Sequence, residues 1–295
     1  MKILNSVCTN LYFPESRKSL GAFREMACFL AETGVQGIEF YHDGEGAGRI
    51  GRVLADTGLA GVYIAVIPLK EKLLHLCDAD EGGRRAALAL MEGCMDAAAD
   101  NGIPMVMFNS GRIGADPQAG LLALRASVAA LYEYAARRGY KLGLCLEPCD
   151  SNLDARQLIG PAARTKALLE ALHAEGYPLS LTLDTAHVAE EGEDFASTLA
   201  LLQPYCQHIH FANCVLGDPA SPLYGDKHVG YEYPDTAWGF GELERLFPTL
   251  CELYPADAPL RVGLEVLCRE EDPCAYFKKT WQKLPYLHPS GGNPA

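Results

Sequence analysis

Four side chains that could ligate a metal or exchange protons stand at the ends of short apolar runs. They are Glu147 in LGLCLE, Asp184 in LSLTLD, His210 in HIHFA and Glu265 in RVGLEV. Three carboxylates meeting at one place would repel one another at neutral pH, so they would have to protonate or bind a cation. With one imidazole they form a mixed oxygen and nitrogen donor set. This set favours Mn²⁺, Mg²⁺ or Co²⁺ over a thiolate-bound structural zinc, with Zn²⁺ as an alternative ion.

The four runs are predicted to be strands whose two faces differ, because side chains alternate faces along a strand. In LGLCLE, Leu144 and Leu146 share one face, whereas Cys145 and Glu147 share the other. The other three runs repeat this division, which a barrel explains if the aliphatic face packs on surrounding helices and the polar face points to the axis. A lone acidic residue at a strand end is usually a helix N-cap or a solvated charge. Four polar residues on the axis face of consecutive strands favour metal binding instead.

Two residues close to this set receive separate predictions. His187 follows Asp184 by three positions, and we expect it in the loop after the strand. His208 lies on the same face as His210, one layer deeper, and is predicted to be a hydrogen-bonded core histidine. Nearby cysteines lack CxxC spacing, so they are predicted to be small packing residues rather than ligands.

Short strand-like runs alternate with longer helix-like runs along the whole chain. Helices are predicted where apolar residues recur every three or four positions, most clearly over 20–34, 83–102 and 119–139. Strands are predicted at 3–8, 35–40, 59–67, 105–109, 141–147, 179–184, 208–212 and 261–266.

Eight such β-then-α units suit either a closed (β/α)₈ barrel or a doubly wound open sheet. The first strand leads into CTNLYFPES, which lacks the Gly-rich phosphate loop typical of the open sheet. The sequence therefore predicts one α/β domain, a (β/α)₈ TIM barrel over 1–287, with a flexible C-terminal tail over 288–295.

A long connection follows the seventh predicted strand, and segments of this length in a compact domain are usually functional or disordered. Residues 213–240 carry four large aromatic side chains, too many for a floppy linker, so we expect them to cap the C-terminal face of the barrel. These are Tyr224, Tyr231, Tyr233 and Trp238.

The composition and net charge of the chain indicate which binding partners and which location to expect. The chain has 295 residues, of which 49% are hydrophobic, and a net charge of −13. This negative field repels phosphodiester backbones and anionic membranes, so neither nucleic acid nor membrane is an expected partner. No secretory signal and no apolar run of about 18 residues is visible. The 11 cysteines are interpreted as reduced thiols, and a cytoplasmic location is expected.

Four motifs taken in order resemble the xylose isomerase-like TIM barrels. They are the Glu of LCLEP, the Asp and His of LDTAH, the second His of HIHFAN and the Glu of GLEV. That superfamily includes sugar phosphate isomerases and epimerases, ketose 3-epimerases, inosose isomerases and dehydratases, and zinc-dependent AP endonucleases. The resemblance covers nearly the whole chain, and it is specific for the superfamily but not for a substrate.

The resemblance implies roles for individual residues. It implies that Glu147, Asp184, His210 and Glu265 bind one divalent metal ion. In ketose 3-epimerases the first and last of these positions also exchange the proton of the epimerised carbon, which makes Glu147 and Glu265 the implied catalytic pair. His187 falls where the family contacts substrate.

The AP endonuclease branch matches less well. Its Asp-x-His pair after the seventh strand is echoed by Asp226-Lys227-His228. Its further zinc ions need histidines after strands three and four, but here those strands lead into IPLKEK and FNSG. The acidic net charge also argues against a nuclease.

Further substrate-binding candidates follow other strands, and each has a plainer interpretation as a surface charge, a solvated side chain or loop packing. Trp238 and the neighbouring tyrosines could stack on a sugar face and exclude water. The candidates are Glu39, Asn109, Arg112, Lys227, His228 and Trp238.

The sequence thus predicts a metal-dependent sugar or polyol isomerase or epimerase that abstracts a proton next to a carbonyl and passes through an enediolate. A lyase or dehydratase on the same metal site is the first alternative, and a non-catalytic sugar-binding or partner subunit is the second. The expected partner is a small sugar or polyol. Whether copies of the chain form a homo-oligomer stays open.

Overall fold

Eight parallel strands form a closed barrel in which neighbours follow chain order, in a computed structural model that describes residues 1–288. The predicted fold class, a (β/α)₈ TIM barrel, is confirmed. The strands are β1 Lys2–Cys8, β2 Gly37–Phe40, β3 Ala60–Ile64, β4 Met105–Phe108, β5 Gly143–Leu146, β6 Ser180–Asp184, β7 Cys206–Ala212 and β8 Pro259–Glu265.

Helices connect the strands, and short 3₁₀ turns lie at Pro14–Arg17, Ala47–Arg49 and Pro285–Leu287. Along residues 1–288 no helix combines the length and the apolar character that crossing a membrane would require. The helices are α1 Thr9–Tyr12, α2 Leu20–Glu32, α3 Ile50–Thr57, α4 Val66–Glu71, α5 Glu81–Asp100, α6 Pro117–Arg138, α7 Ala162–Ala174, α8 Thr185–Glu190, α9 Phe195–Leu202, α10 Phe240–Leu253 and α11 Pro273–Gln282.

The predicted third strand is too long. It was expected over 59–67, but β3 ends at Ile64 and helix α4 begins at Val66. Pro68 lies in the first turn of α4, where its missing N–H costs nothing. The apolar residues Val66 and Ile67 therefore form the start of helix α4 and do not extend the strand. The predicted tail over 288–295 lies outside the described residues except for His288, whose ring packs 4.6 Å from that of Trp281.

The chain forms two compact units, and the first joins Met1–Gly61 to Gln207–Ala295. In it β1 pairs with both β2 and β8, and β8 pairs with β7. Aromatic side chains pack its helices: the ring of Tyr12 meets Phe277 edge-on at 5.6 Å, and Phe277 stacks on Trp281 at 5.8 Å.

The second unit spans Val62–Cys206, with β4 paired to β3 and β5, and β5 paired to β6. Its small core cluster contains Val62, Ile64, Met107 and Cys145. The Thr182 hydroxyl lies 3.0 Å from Sγ of Cys145 and donates to Sδ of Met107 at 3.3 Å. Polar side chains predicted on one face of β5 and β6 thus do share one face.

Candidate functional site

The first unit brings His210 and Glu265 together where β7 and β8 end. Ala212 is the register partner of Glu265, and His210 is that of Gly263. The two side chains therefore rise from neighbouring strands, and Nδ1 of His210 lies 2.5 Å from Oε2 of Glu265. Burial alone would raise the pKa of Glu265, but attraction to His210 and His228 and hydrogen bonds from both rings hold it below its ordinary value.

Glu39 is enclosed in this unit rather than open to solvent, with no exposed surface. Its Oε1 accepts from the Ser6 hydroxyl at 2.5 Å and from Nε2 of His208 at 2.9 Å. Its Oε2 accepts from Nε2 of His210 at 2.9 Å. Burial alone would raise the pKa of Glu39, but the charges and hydrogen bonds of the two imidazoles outweigh burial and lower it well below its ordinary value.

A glycine makes room for this arrangement. A Cβ atom on Gly263 would lie 2.3 Å from Oε1 of Glu39, 3.0 Å from Cδ2 of His210 and 3.2 Å from Oγ of Ser6. Such distances are shorter than van der Waals contact, so any larger residue would displace the carboxylate.

A second histidine reaches Glu265 from the long connection after β7. Nε2 of His228 lies 3.5 Å from Oε1 of Glu265, and Nδ1 lies 2.9 Å from Oδ1 of Asp226. The backbone of His228 is in the left-handed region at φ +45°, which is uncommon for a residue other than glycine. Burial lowers the pKa of the His228 imidazole, but Glu265 and Asp226 raise it well above its ordinary value.

In the second unit, Asp184 both ends β6 and begins α8. Its Oδ1 accepts the backbone N–H groups of Ala186 at 2.7 Å and His187 at 3.0 Å, which makes it the N-cap of the helix. His187 therefore lies in the first turn of α8, not in a loop as predicted. The cap explains the difference, since a carboxylate that binds two orphan N–H groups starts a helix directly at the strand end.

His187 has buried acidic and thiol neighbours within the same unit. Its Nδ1 lies 3.1 Å from Oε2 of Glu190, one turn along α8. Ligand-capable atoms of His187, Glu147 and Cys149 lie within 4.8 Å of one another. Burial lowers the pKa of the His187 imidazole, but negative charge on Cys149 and Asp184 and the hydrogen bonds with Cys149 and Glu190 raise it well above its ordinary value.

The remaining predicted substrate-binding residues differ in exposure. In the second unit Asn109 is buried just after β4, whereas Arg112 is exposed. In the first unit His228 is buried, and Lys227 and Trp238 are half-buried. Burial alone assigns no role to any of them.

The long connection is ordered by its own hydrogen bonds. Asn213, its first residue, binds two later residues: Nδ2 donates to the carbonyl of Gly230 at 3.2 Å, and Oδ1 accepts from the backbone N–H of Trp238 at 2.8 Å. The hydroxyl of Tyr231 donates to the carbonyl of Phe211 at 2.6 Å. This segment of the first unit is therefore tied back to β7, and its predicted capping of the barrel face stays a prediction.

Two residues of these networks were not singled out from sequence for the parts they play. Glu190 is three positions after His187 on one helix face, a spacing that could have revealed the pair. The contact between Glu39 and two histidines of β7 has no such local signal, because those residues lie far apart in the chain.

The donor set fits a divalent cation. In the first unit the imidazole of His210 has its Nε2 bound by a buried carboxylate and its Nδ1 turned to Glu265. Histidines that ligate metals usually donate their other nitrogen in this way. In the second unit one oxygen of Asp184 caps a helix, which fixes the direction of the other oxygen.

Comparison with known proteins identifies the family to which the chain belongs. A family model described as the xylose isomerase-like TIM barrel matches residues 29–269. No curated protein matches the chain in sequence.

Solved structures share the fold at low identity. The apo form of 3-keto-D-glucoside 4-epimerase from E. coli has a TM-score of 0.71 at 18% identity, covering 97% of this chain and 100% of that chain. An L-ribulose 3-epimerase has a TM-score of 0.68 at 16% identity, covering 98% and 99%. A family 2 AP endonuclease from Brucella melitensis has a TM-score of 0.64 at 17% identity, covering 94% and 98%.

Proposed function

From the premise that the chain belongs to the xylose isomerase-like TIM barrel family, we propose that it is a metal-dependent sugar or polyol epimerase or isomerase. Two of the three structures named above are sugar epimerases, which supports this activity. The observation that carries the proposal is the imidazole of His210, held between the carboxylates of Glu39 and Glu265.

The proposed metal ligands are Glu147, Asp184, His210 and Glu265, which stand at or near the C-terminal ends of β5, β6, β7 and β8. Active sites of such barrels are built at that end. The ligand atom of His210 is Nδ1, because Nε2 donates to Glu39. The ligand atom of Asp184 is Oδ2, because Oδ1 caps α8. Mn²⁺, Mg²⁺ or Co²⁺ suits these donors, with Zn²⁺ as the alternative, and the bound ion would polarise the substrate carbonyl.

Glu147 and Glu265 are the proposed acid–base pair. One group, as the carboxylate, takes the proton from the carbon next to the carbonyl. The other, entering as the protonated acid, gives its proton to the opposite face of the resulting enediolate, so each turnover exchanges the protonation states of the pair. In the first unit, His228 and Asp226 hold Glu265 in position. The contacts of Glu265 with His210 and His228 keep its carboxyl group ionised, which is the form that accepts a proton.

The proposed substrate-binding residues are His187, Asn109, Arg112, Lys227, His228 and Trp238. We also propose that residues 213–240 cover the carboxyl ends of the strands and exclude water during proton transfer.

Deuterium exchange tests the proposal even when the product is not identified in advance. The protein is supplied with Mn²⁺ for turnover, or with diamagnetic Mg²⁺ for spectra, and incubated in D₂O with ketoses, inososes and 3-keto sugars. NMR should show deuterium at one carbon of one substrate, together with its epimer or isomer. The matched controls are protein treated with a chelator and the Glu265→Gln variant.

The outcome also separates the alternatives. Loss of water from the substrate, with exchange at the same carbon, would indicate a dehydratase. The AP endonuclease neighbour makes an oligonucleotide with one abasic site a necessary additional substrate. If no substrate exchanges a proton although metal is bound, the epimerase proposal is wrong and a binding subunit becomes the better explanation.

A further inference from the structure

We propose that Glu39 is a positioning residue: it holds the imidazole of His210 with Nε2 protonated and Nδ1 turned toward Glu265. The assignment of Nδ1 as a metal ligand rests on the proposed function, whereas the hydrogen-bond arrangement does not. Glu39 was predicted from sequence to bind substrate, and the structure supports this different role.

Both oxygens of Glu39 are engaged by side chains of the barrel interior. Ser6 and His208 donate to Oε1, and His210 donates to Oε2. The carboxylate has no exposed surface. A carboxylate in such a place is stable only when it is paired and hydrogen-bonded. Its three donors provide that pairing and leave no oxygen directed at a substrate.

The strand register brings Glu39 to His210. Cys8 of β1 is the partner of Glu39 on β2, Ser6 of β1 is the partner of Gly263 on β8, and Gly263 is the partner of His210 on β7. The side chain of Glu39 thus spans β1 and β8 to reach β7. It passes over Gly263, which has no side chain.

Gly263 is required for its size and not for its backbone conformation. Its φ is not positive, so an alanine would suffer no backbone strain there. Its Cβ would however fall 2.3 Å from Oε1 of Glu39. The carboxylate could move away only by giving up contacts with Ser6, His208 or His210.

The chemical consequence is a fixed imidazole. A carboxylate has no hydrogen to donate, so Nε2 of His210 must carry the proton in their contact. In the metal-free protein Nδ1 likewise faces a carboxylate and donates to Glu265, so a bound cation would take the place of that proton while Nε2 keeps its own. Partners of this kind set the ring orientation and the basicity of a ligating histidine, and removing them typically weakens metal binding about 10–100-fold.

Two variants separate the hydrogen bond from the charge. Glu39→Met keeps the approximate size and removes every acceptor, so Mn²⁺ affinity measured by calorimetry should fall about 10–100-fold. Glu39→Gln removes the charge and keeps one acceptor, so its affinity should lie between those of Glu39→Met and the original protein. Gly263→Ala, which displaces the carboxylate by contact, should resemble Glu39→Met.

The matched control is Asn5→Ala. Asn5 lies on β1 beside Ser6, but its side chain binds the carbonyl of Leu287 at 3.0 Å and the N–H of Gln36 at 2.8 Å, outside this network. Asn5→Ala and Glu39→Met each remove buried hydrogen bonds, so both should lower the melting temperature of the metal-free protein. It should leave Mn²⁺ affinity within about 2-fold, since the hydrogen bond between Glu39 and His210 is retained.

Long-range ¹H–¹⁵N NMR of the histidine rings gives a readout independent of activity and of metal. Nε2 of His210 should be protonated in the original protein, whereas in Glu39→Met the ring should keep its proton on Nδ1, which faces Glu265, and leave Nε2 bare. A bare Nε2 in the original protein would overturn the proposal even if Mn²⁺ binds.

Affinity in Glu39→Met equal to that of Asn5→Ala would also overturn it. So would equal affinities of Glu39→Gln and Glu39→Met with Nε2 of His210 still protonated, because charge alone would then explain the loss. If the original protein binds no divalent ion, the proposed function fails, and the NMR result alone decides the role of Glu39.

Discussion

At the scale of single residues, two carboxylates have imidazole partners that keep them ionised. Glu39 and Glu265 are carboxylates next to imidazoles, and both have pKa values below their ordinary range. Their environments differ in one respect. Glu39 is fully enclosed, whereas 15% of the Glu265 side chain is exposed. The exposed member of the network is the one that can meet a substrate.

Glu147→Gln and Glu265→Gln should each lower kcat by about 10²–10⁴, the usual contribution of a positioned acid–base group. Glutamine keeps the size and one oxygen but cannot accept the proton. Turnover of the substrate found by deuterium exchange measures the effect, with bound metal quantified in parallel. Near-normal turnover in both variants with metal bound would leave the glutamates as ligands only.

His187→Ala should change substrate affinity more than metal affinity. The imidazole interacts with Glu190 and Cys149 within its own unit, and it is not among the proposed ligands. We expect KM to rise about 10-fold or more, because leaving the polar groups of a binding site unpaired typically costs 1–3 kcal/mol, while Mn²⁺ affinity stays close to that of the original protein. A loss of metal larger than the change in KM would instead place His187 at the metal.

At the scale of helices and strands, Asp184 serves two elements at once. It closes β6, and its Oδ1 begins α8. Two substitutions separate the cap from the proposed ligand. Asp184→Ser keeps a capping hydroxyl, whereas Asp184→Ala removes both functions.

Both variants should lose metal binding, but only Asp184→Ala should lose cap energy, about 1 kcal/mol of unfolding free energy. Chemical denaturation of the metal-free variants measures the difference. Equal stabilities would mean that the cap contributes little to folding. Retention of Mn²⁺ by Asp184→Ser would remove Asp184 from the proposed ligands.

The connection after β7 provides the second test at this scale. Trp238→Ala should raise KM or lower kcat while metal affinity changes little, because residues 213–240 are proposed to exclude water from the substrate. Tyr231→Phe is the control for anchoring: it removes one hydrogen bond to Phe211, worth about 1 kcal/mol. Unchanged kinetics in Trp238→Ala would make this segment a packing element only.

Much of the element order followed from the sequence because strands and helices have different apolar periods. Every predicted strand starts within two residues of the observed one. The side chains of Cys145 and Thr182 do share a face, as alternation predicted. The third strand was overextended because Val66 and Ile67 are apolar in either structure. Periodicity cannot separate a short buried helix from a strand.

The site was predictable in part. Alternation along the strands predicted where the carboxylates lie in the sequence, three carboxylates with one imidazole suggested a metal, and the resemblance to a family implied the same four ligands. Two features required the three-dimensional structure. One is the first turn of α8 at His187, which depends on where the Asp184 side chain points. The other is the reach of Glu39 to His210, which depends on strand register and on the space above Gly263.

At the scale of the whole molecule, metal and stability should be linked. An ion that binds only the folded chain adds about 2.7 kcal/mol when its concentration is 100 times Kd. For a chain of this size that corresponds to a rise in melting temperature of roughly 5 °C. Calorimetry of chelator-treated protein, with and without added Mn²⁺, measures the shift. A variant lacking His210 should show none, and a full shift in that variant would place the ion elsewhere.

The pairing of β1 with β8 has a consequence for how the chain is made. The unit Val62–Cys206 is continuous, whereas the other unit joins the beginning of the chain to its last third. A ribosome that adds about 5–20 residues per second needs roughly ten to forty seconds to proceed from Gly61 to the end of β8. During that interval β2, one neighbour of β1, has been synthesised, whereas β8, the other neighbour, has not. For most of it Glu39 also lacks His208 and His210, the two histidines that pair with it. The carboxylate of Glu39 is therefore synthesised well before the imidazoles of His208 and His210 that donate to it.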